Sequence, residues 1–483
     1  MDPRDRSPHR LSGEDLGFWW LDSPMQPTTM AMLMRLDCAP DSERLRLAFE
    51  RAVDAVPRLA QRVADAPFDI TLPHWQDDPT FDLDYHVRHH RLSGAADLAE
   101  LFHEVAPAYE SPFDRSRPLW EARVYEGLGP EKHAALFFKL HHCVADGIGG
   151  NAIFAAMTDW QRDPEPSSCP LPAAPHAKQG WGRREGFGRQ LLDAIEDRIA
   201  LDVERARHLA GSVAAAVEHP ERLKEALEVI RSLAGTLAFD SGSPLKRQAG
   251  RARRLSGMAL PFARVYALKQ RLGGCMIDAI LTIMARAIGR WHEDHGIDGV
   301  DELMTLVPVS LRKPEEWTRD VPLGNAATGI LVRLPIRLRG PLLTHREICR
   351  RMAERKADPA STAVPALSEM MSVLPRPLLG WMSESMLFGN VDFIVTNVPG
   401  ILVPRYLAGS EILAAYPFAP VAVKSPVSVA LYGYRDSLFL GITSDESIMP
   451  DVEVFQRYIG DAFAELEKAS MRPPRRESTA GRA

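Results

Sequence analysis

The chain has 483 residues, enough for two large subdomains or one two-lobed enzyme, so burial capacity does not limit what it can fold into. Hydrophobic residues make up 45% and charged residues 25%, globular values that exclude a mostly disordered or collagen-like chain. A net charge of -6 offers no basic stripe to displace counterions, which excludes nucleic acid as an expected partner. Five scattered cysteines form no C-x-x-C pair and indicate neither a disulfide framework nor a zinc knuckle, so a reducing compartment is expected. The opening MDPRDRSPHR is charged and is not followed by the apolar core of a secretory signal. No window reaches about 18 uninterrupted apolar residues. A cytoplasmic protein is expected, with peripheral contact to the inner membrane face left open.

In chain order, Thr29 to Leu36 reads as a strand, Ser42 to Val53 as a helix, and Trp120 to Tyr125 and Ala134 to Leu140 as strands. Apolar residues at Ile148, Ile153, Phe154, Met157 and Trp160 keep near-helical spacing and predict a helix from Ile148 to Trp160. Five prolines between Asp163 and Gln179 rule out a helix or central strand and mark a linker. Arg189 to Phe239, rich in Ala, Leu, Glu and Arg and broken at His219-Pro220, predicts a helical pair. The basic run Lys246 to Arg254 opens a second lobe. There Gly257 to Phe262 reads as a strand and Met276 to Trp291 as a helix. Leu303 to Val309, Thr328 to Leu334, Asp392 to Asn397, Ser428 to Tyr434 and Leu438 to Ser444 have strand composition, and Val452 to Lys468 has helical composition. The expected division is therefore a first lobe over 1–162, a connector over 163–245, a second lobe over 246–470 and a frayed tail over 471–483.

The run His141-His142-Cys143-Val144-Ala145-Asp146-Gly147 ends the Ala134 to Leu140 strand and leads into the next helix. A histidine accepts a hydroxyl proton near neutral pH, and a carboxylate four residues on can orient its neighbours, so the arrangement suits acyl transfer to an alcohol. His89-His90 is the same dipeptide in a polar stretch and reads as solvated surface. Metal binding is disfavoured because adjacent strand histidines face opposite ways, and His86 and His90 enclose Val87 where a zinc protease needs glutamate. Gly147-Ile148-Gly149-Gly150-Asn151-Ala152 imitates a dinucleotide fingerprint, but its glycines start past the strand end and a proline-rich linker follows. No G-x-S-x-G elbow is present. Cys143 reads as a small packing residue.

With HHCVADG, the sequence carries PFDRSRPLWE (Pro112 to Glu121, including Pro118-Leu119-Trp120), VPVSLR (Val307 to Arg312), LGN (Leu323 to Asn325) and VTNVPG (Val395 to Gly400). In order and separation these motifs resemble the bacterial wax ester synthase/diacylglycerol acyltransferase family, related to the HHxxxDG CoA-dependent acyltransferases and condensation domains. The likeness runs from LSGEDLGFWW at Leu11 to the helix near Lys468. It implies an α/β fold of two lobes, each a mixed sheet backed by helices, with a tunnel between them. His142 would be the general base that deprotonates a hydroxyl for attack on an acyl-CoA thioester, and His141 a supporting residue. Asp146 would hold its loop through an ion pair, with Arg115, Arg117 or Arg312 as candidate partners. The resemblance gives Gly147, Gly324, Asn325 and Asn397 roles in shaping the site, while Trp120 reads first as strand packing. Arg312 could meet CoA phosphate or form an element-end ion pair.

The implied substrates are acyl-CoA and a hydroxyl-bearing lipid, diacylglycerol or a long-chain alcohol, with no cofactor and no metal. Where the family typically shows Asn-Asp, this chain has Ile277-Asp278; Asp278 would keep a structural role. The Ile277 departure is the best support for a second reading, an acyltransferase of specialised metabolism with another acceptor or a carrier-protein thioester. A third is a non-catalytic lipid-binding protein on the same scaffold. Met370 to Phe388, apolar with methionines and a tryptophan, reads as core or as an amphipathic lipid-facing helix that would allow contact with a membrane or lipid droplet.

Overall fold

The computed structural model describes residues 10–65, 72–93, 96–164, 239–310, 327–358, 391–422 and 424–471, with residues 198, 199, 203, 207 and 325. The N-terminal half runs α1 (Gly13–Leu21), β1 (Thr29–Leu36), α2 (Ser42–Ala55), β2 (Gln61–Ala64), β3 (His74–Asp77), α3 (Leu83–His86), β4 (Val87–Arg91), α4 (Leu98–Glu110), β5 (Trp120–Leu128), β6 (His133–His141) and α5 (Gly147–Met157). The C-terminal half adds β7 (Arg253–Pro261), α6 (Phe262–Leu272), α7 (Met276–Asp294), β8 (Glu302–Ser310), β9 (Ala327–Pro335), α8 (Pro341–Ala357), β10 (Phe393–Ile401), β11 (Tyr406–Leu407), β12 (Ser410–Phe418), β13 (Val427–Tyr434), β14 (Ser437–Asp445) and α9 (Val452–Ser470).

Two mixed six-stranded sheets result, in the orders β11-β12-β1-β6-β5-β4 and β7-β14-β13-β10-β8-β9. Their middle strands are the most apolar runs of the sequence. In β6 (HAALFFKLH) every residue after His133 is buried, and in β13 (VSVALYGY) every residue is, as expected for strands covered on both faces. Most of the strands and helices expected from composition are present. Nearly all of the linker, of the helical pair before Phe239 and of the tail, and the whole Met370 to Phe388 stretch, lie outside the described residues.

Chain order does not fix sheet membership. Strands β11 and β12, from the C-terminal half, extend the first sheet: β12 runs antiparallel to β1, with Ala31 opposite Phe418 and Leu33 opposite Tyr416. β12 also lies on the second sheet, over a notch made by two glycines that face each other across β14 and β7, Gly441 and Gly257. A Cβ on Gly441 would stand 1.7 Å from the Pro417 carbonyl oxygen; one on Gly257 would stand 2.6 Å from a Tyr416 ring carbon and 2.7 Å from the Phe102 ring. At the end of the same two strands Arg253 and Asp445 form a fully buried ion pair (2.6 Å), and the guanidinium also donates to the Met25 carbonyl (3.0 Å), just before β1.

Helix α5 is shorter than its apolar spacing predicts. It stops at Met157 because Arg405, buried in the loop before β11, takes the Ala155 and Thr158 carbonyls that a continuing helix would need. Trp160 falls beyond the helix, 63% exposed, with the Arg405 guanidinium 4.1 Å over its ring. Among the described residues no single helix is long and apolar enough to cross a membrane. Helices α6 and α7 pass that test only as a pair bent by 99°, and most of α7 is core.

The notch makes a contrast between glycines. Gly441→Ala should destabilise the protein by about 1–3 kcal/mol through overpacking. Gly17→Ala, in α1 with nothing within 4 Å of its added methyl, should stabilise it by about 0.5–1 kcal/mol. Urea unfolding midpoints of the two variants against the parent chain measure both.

Candidate active site

The HHxxxDG run begins where β6 ends and reaches the start of α5. The Leu119 carbonyl accepts the His141 N–H (2.9 Å) and the Thr28 carbonyl accepts that of His142 (2.8 Å), so β5 and the β1 entry fix the two histidines from either side. Asp146 is the N-cap of α5: its Oδ1 accepts the Gly149 N–H at 2.8 Å. A helix opening Gly-Ile-Gly-Gly is a poor helix former, so this cap carries more than usual weight. Of the expected ion-pair partners of Asp146, Arg115 lies on Asp22 (3.0 Å), Arg117 on Asp78 (3.4 Å), and Arg312 is outside the described residues.

The two imidazoles have different surroundings. His141 is buried; its Nδ1 accepts the Cys143 N–H (3.1 Å), so its Nε2 carries the proton and donates to Thr28 Oγ1 (2.9 Å). Asp22 lies 3.7 Å from that Nε2. Burial alone would raise the Asp22 pKa, but His141, the Thr28 N–H and Arg115 hold it down at about 2. His142 stacks flat on Phe18, ring centres 3.9 Å apart, and its Nδ1 lies 2.9 Å from Asn325 Oδ1. Asn325 uses its Nδ2 to donate to Asp15 Oδ1 (2.7 Å) and to the His142 carbonyl (2.8 Å), so the oxygen end of the amide faces the ring. Nδ1 must then carry the proton, leaving the Nε2 lone pair free to act as a base. Burial lowers the His142 pKa below its ordinary value, and the attractions of its own carbonyl, Asp146 and Asn325 do not reverse this.

His142 lines a cavity of about 160 Å³ where the lobes meet. The first lobe contributes Phe18, Thr28, Asp146 and Gly147, and the second contributes Thr396 and Asn397 of β10 with the Pro420 loop after β12. Gly147 is in close contact with β10: a Cβ there would stand 2.7 Å from Val398 Cγ2. Asn151 of α5 donates to the Pro399 carbonyl (2.6 Å), a second tie across the seam.

The structure thus brings His142, Asp146, Gly147, Asn325 and Asn397 together, with His141 directly behind them. Leu119 and Trp120 are buried elsewhere: the Trp120 indole donates to the Leu59 carbonyl (2.7 Å) and stacks on Phe49 and His86, so strand packing is its place, and with Pro118 it lies outside the cavity wall. Asp278 is at the N-terminus of α7, accepting the Cys275 N–H (2.7 Å), and Ile277 packs against the second core. Neither lines the cavity, so the Ile277 departure leaves its wall unchanged. Gly324, like Arg312, lies outside the described residues. Cys143 is fully buried, and burial pushes its thiol far above the range of a reactive cysteine.

Sequence reasoning missed Asp15, Phe18, Asp22, Thr28 and Arg58. One local signal was available: Ser12-Gly-Glu-Asp15 before an apolar run is a helix-start pattern, and Ser12 does accept the Asp15 N–H (3.1 Å). Phe18 follows on the same helix.

Two mixed sheets, with β12 of the first packed on the second and the HHxxxDG histidine lining the cavity where they meet, are the architecture of the two-lobed HHxxxDG proteins. The wax ester synthase/diacylglycerol acyltransferase catalytic domain model matches residues 11–280 and the WS/DGAT C-terminal domain model matches residues 323–467. A Mycobacterium tuberculosis H37Rv protein named as a diacylglycerol O-acyltransferase is 31% identical over 92% of this chain and 88% of its own. The tgs1 protein of the same strain, named likewise, is 30% identical over 90% of each. Among solved structures, the wax ester synthase/diacylglycerol acyltransferase of Marinobacter aquaeolei VT8 superposes with a TM-score of 0.65 at 19% identity, covering 95% of this chain and 99% of that one. The first condensation domain of the calcium-dependent antibiotic synthetase shares the fold at a TM-score of 0.61 and 16% identity, over 95% and 96%. The chain belongs to the wax ester synthase/diacylglycerol acyltransferase family, and its chemistry is acyl-CoA-dependent O-acyl transfer.

The Gly147–Val398 contact gives a test of how closely the lobes must meet. Gly147→Ala should lower kcat/KM on the order of 10–100-fold by displacing the start of α5, since shifts near 1 Å at a reacting centre have such effects. Adding Val398→Ala should restore most of it, and Gly150→Ala, whose methyl would meet only Met30 at 3.7 Å, should change little.

Proposed function

We propose that the enzyme esterifies diacylglycerol or a long-chain alcohol, with His142 as general base. His142 Nε2 removes the proton of the acceptor hydroxyl as its oxygen attacks the thioester carbonyl of acyl-CoA. The tetrahedral intermediate collapses, the carbon–sulfur bond breaks, and the imidazolium returns its proton to the departing CoA thiolate. The ester and free CoA leave with the histidine restored. No covalent enzyme intermediate is needed, consistent with the inert Cys143. The observation that carries this reading is the Asn325 contact, which protonates Nδ1 and leaves Nε2 as the basic nitrogen of a residue lining the inter-lobe cavity.

The cavity is smaller than the roughly 300–1,000 Å³ of an ordinary ligand pocket. It suits the reacting ends of two substrates, with the chains extending away from it. Because such substrates reside in bilayers and droplets, we place the working enzyme at a lipid surface. The exposed Leu402 and Val403, just before Arg405 in the chain, and the exposed Trp160, against the Arg405 guanidinium, are apolar residues that fit a peripheral contact of this kind.

With palmitoyl-CoA and either hexadecanol or dioleoylglycerol, the purified protein should release CoA thiol only when an acceptor is present, in step with ester product. His142→Ala should lower kcat on the order of 10²–10⁴-fold. Thiol release without acceptor dependence, or unchanged turnover in the variant, would overturn the mechanism. Because the base must be deprotonated and burial lowers its pKa, kcat/KM should be flat above neutrality. Its acid limb should centre below the ordinary histidine value of about 6.5.

A further inference from the structure

Asp15 is fully buried in the first turn of α1, and its carboxylate serves a purpose other than the helix. In a capping box the acidic residue at this position turns back to the cap N–H. Here Oδ1 instead accepts both the backbone N–H (3.1 Å) and the side-chain Nδ2 (2.7 Å) of Asn325, and Oδ2 faces Arg58 Nη1 at 3.4 Å. Arg58, on the turn Pro57–Ala60, also donates to the Val144 carbonyl (3.3 Å) within the HHxxxDG run, and its guanidinium lies 4.9 Å from the Trp75 ring centre. A polar chain therefore runs from Arg58 through Asp15 and Asn325 to His142, leaving the first lobe at Asp15 and returning to it at His142.

An amide has one donating and one accepting end, and only its surroundings decide which way it points. At Asn325 both Nδ2 hydrogens meet groups that cannot donate, a carboxylate oxygen and a carbonyl oxygen. Rotating the amide by half a turn would bring its oxygen against both acceptors and its NH₂ against a protonated ring nitrogen. The acceptor-only carboxylate of Asp15 and the His142 carbonyl together make that rotation unfavourable, and only the first of them can be changed by substitution.

We infer that Asp15 is a positioning residue that selects the tautomer of His142 by locking the orientation of the Asn325 amide. The inference rests on His142 being the base. Asp15→Asn is nearly isosteric, but Arg58 draws its one oxygen to the Oδ2 position and leaves its NH₂ toward Asn325, whose backbone N–H loses its acceptor; the Asn325 amide can then turn and offer a donor to His142 Nδ1. Nδ1 would then lose its proton to Nε2, and the basic lone pair would leave the cavity.

Two readouts test this. In ¹⁵N-histidine spectra, Asp15→Asn should move His142 from Nδ1–H to Nε2–H, and kcat should fall on the order of 100-fold or more while KM changes little. The double variant Asp15→Asn with Asn325→Asp reverses the pair. The amide introduced on α1 would donate to the carboxylate introduced opposite it, and that carboxylate would accept from Nδ1–H while losing the bond now made to the His142 carbonyl, so the Nδ1–H tautomer should return with a partial, at least tenfold, recovery of kcat. An unchanged His142 tautomer in Asp15→Asn would overturn the inference. So would a loss of activity that tracks unfolding and is not relieved in the double variant. If His142→Ala itself retained activity, the base assignment would fail, and the tautomer spectra would still decide whether Asp15 controls the ring.

Discussion

Everything at the site depends on how closely β12 can approach the second sheet. This strand belongs to the first sheet by hydrogen bonding and to the second by packing, and it fits only because Gly257 and Gly441 face each other beneath Tyr416 and Pro417. A Cβ at either position would overlap β12 or Phe102, at 1.7 Å from the Pro417 oxygen or 2.6 Å from the Tyr416 ring, and would force the lobes apart. The contacts that build the cavity, Gly147 on Val398, Asn151 on Pro399 and Asn325 on His142, all cross the same seam. A separation of about 1 Å would open the first contact and break the two hydrogen bonds, which weaken beyond about 3.2 Å.

Buried charge reinforces that closure. Arg253 and Asp445 are buried with their partners in place, and Arg253 also reaches the Met25 carbonyl in the other lobe. Arg405 does the same at the far end of α5, with its guanidinium on carbonyls of the first lobe. Such groups contribute little net stability relative to apolar packing, yet separating them from their partners costs about 3–5 kcal/mol. They therefore penalise lobe arrangements that leave them unpaired, which is how a largely apolar interface acquires a defined register.

The legible parts of the sequence were those whose cause is local. β6 and β13 announced themselves as apolar runs, and HHxxxDG as a strand end followed by a helix. Strand β12 gave no such signal: SEILAAYPF is unremarkable, and its partner β1 is more than 370 residues away, a pairing that no short window contains. Trp160 was misplaced for a related reason, since the residue that ends α5 is Arg405, far along the chain. Asn325 received a role in shaping the site only through the resemblance, and its contact with His142 depends on the seam. Asp15 and Arg58 were invisible for the same reason, although the Ser12 pattern was enough to mark the start of α1.

The histidine pair shows what a strand end can do that a single residue cannot. Successive side chains on a strand face opposite ways, so His141 turns to Thr28 and Asp22 while His142 turns to the cavity. The first ring takes its proton on Nε2 because a backbone N–H occupies Nδ1; the second takes it on Nδ1 because an amide oxygen is there. The two rings are thus held in opposite tautomers by partners of opposite polarity. Neither can exchange roles with the other without reversing its own hydrogen bonds. His141, anchored between a hydroxyl and a carboxylate held ionised at about 2, fixes the backbone from which His142 projects. Stacking on Phe18 then limits rotation of the second ring, and the Asp146 cap and Arg405 hold both ends of the helix that follows. In the proposed reaction, an imidazole held this way meets an incoming hydroxyl with its orientation already set, so little reorganisation remains for the step in which the proton moves.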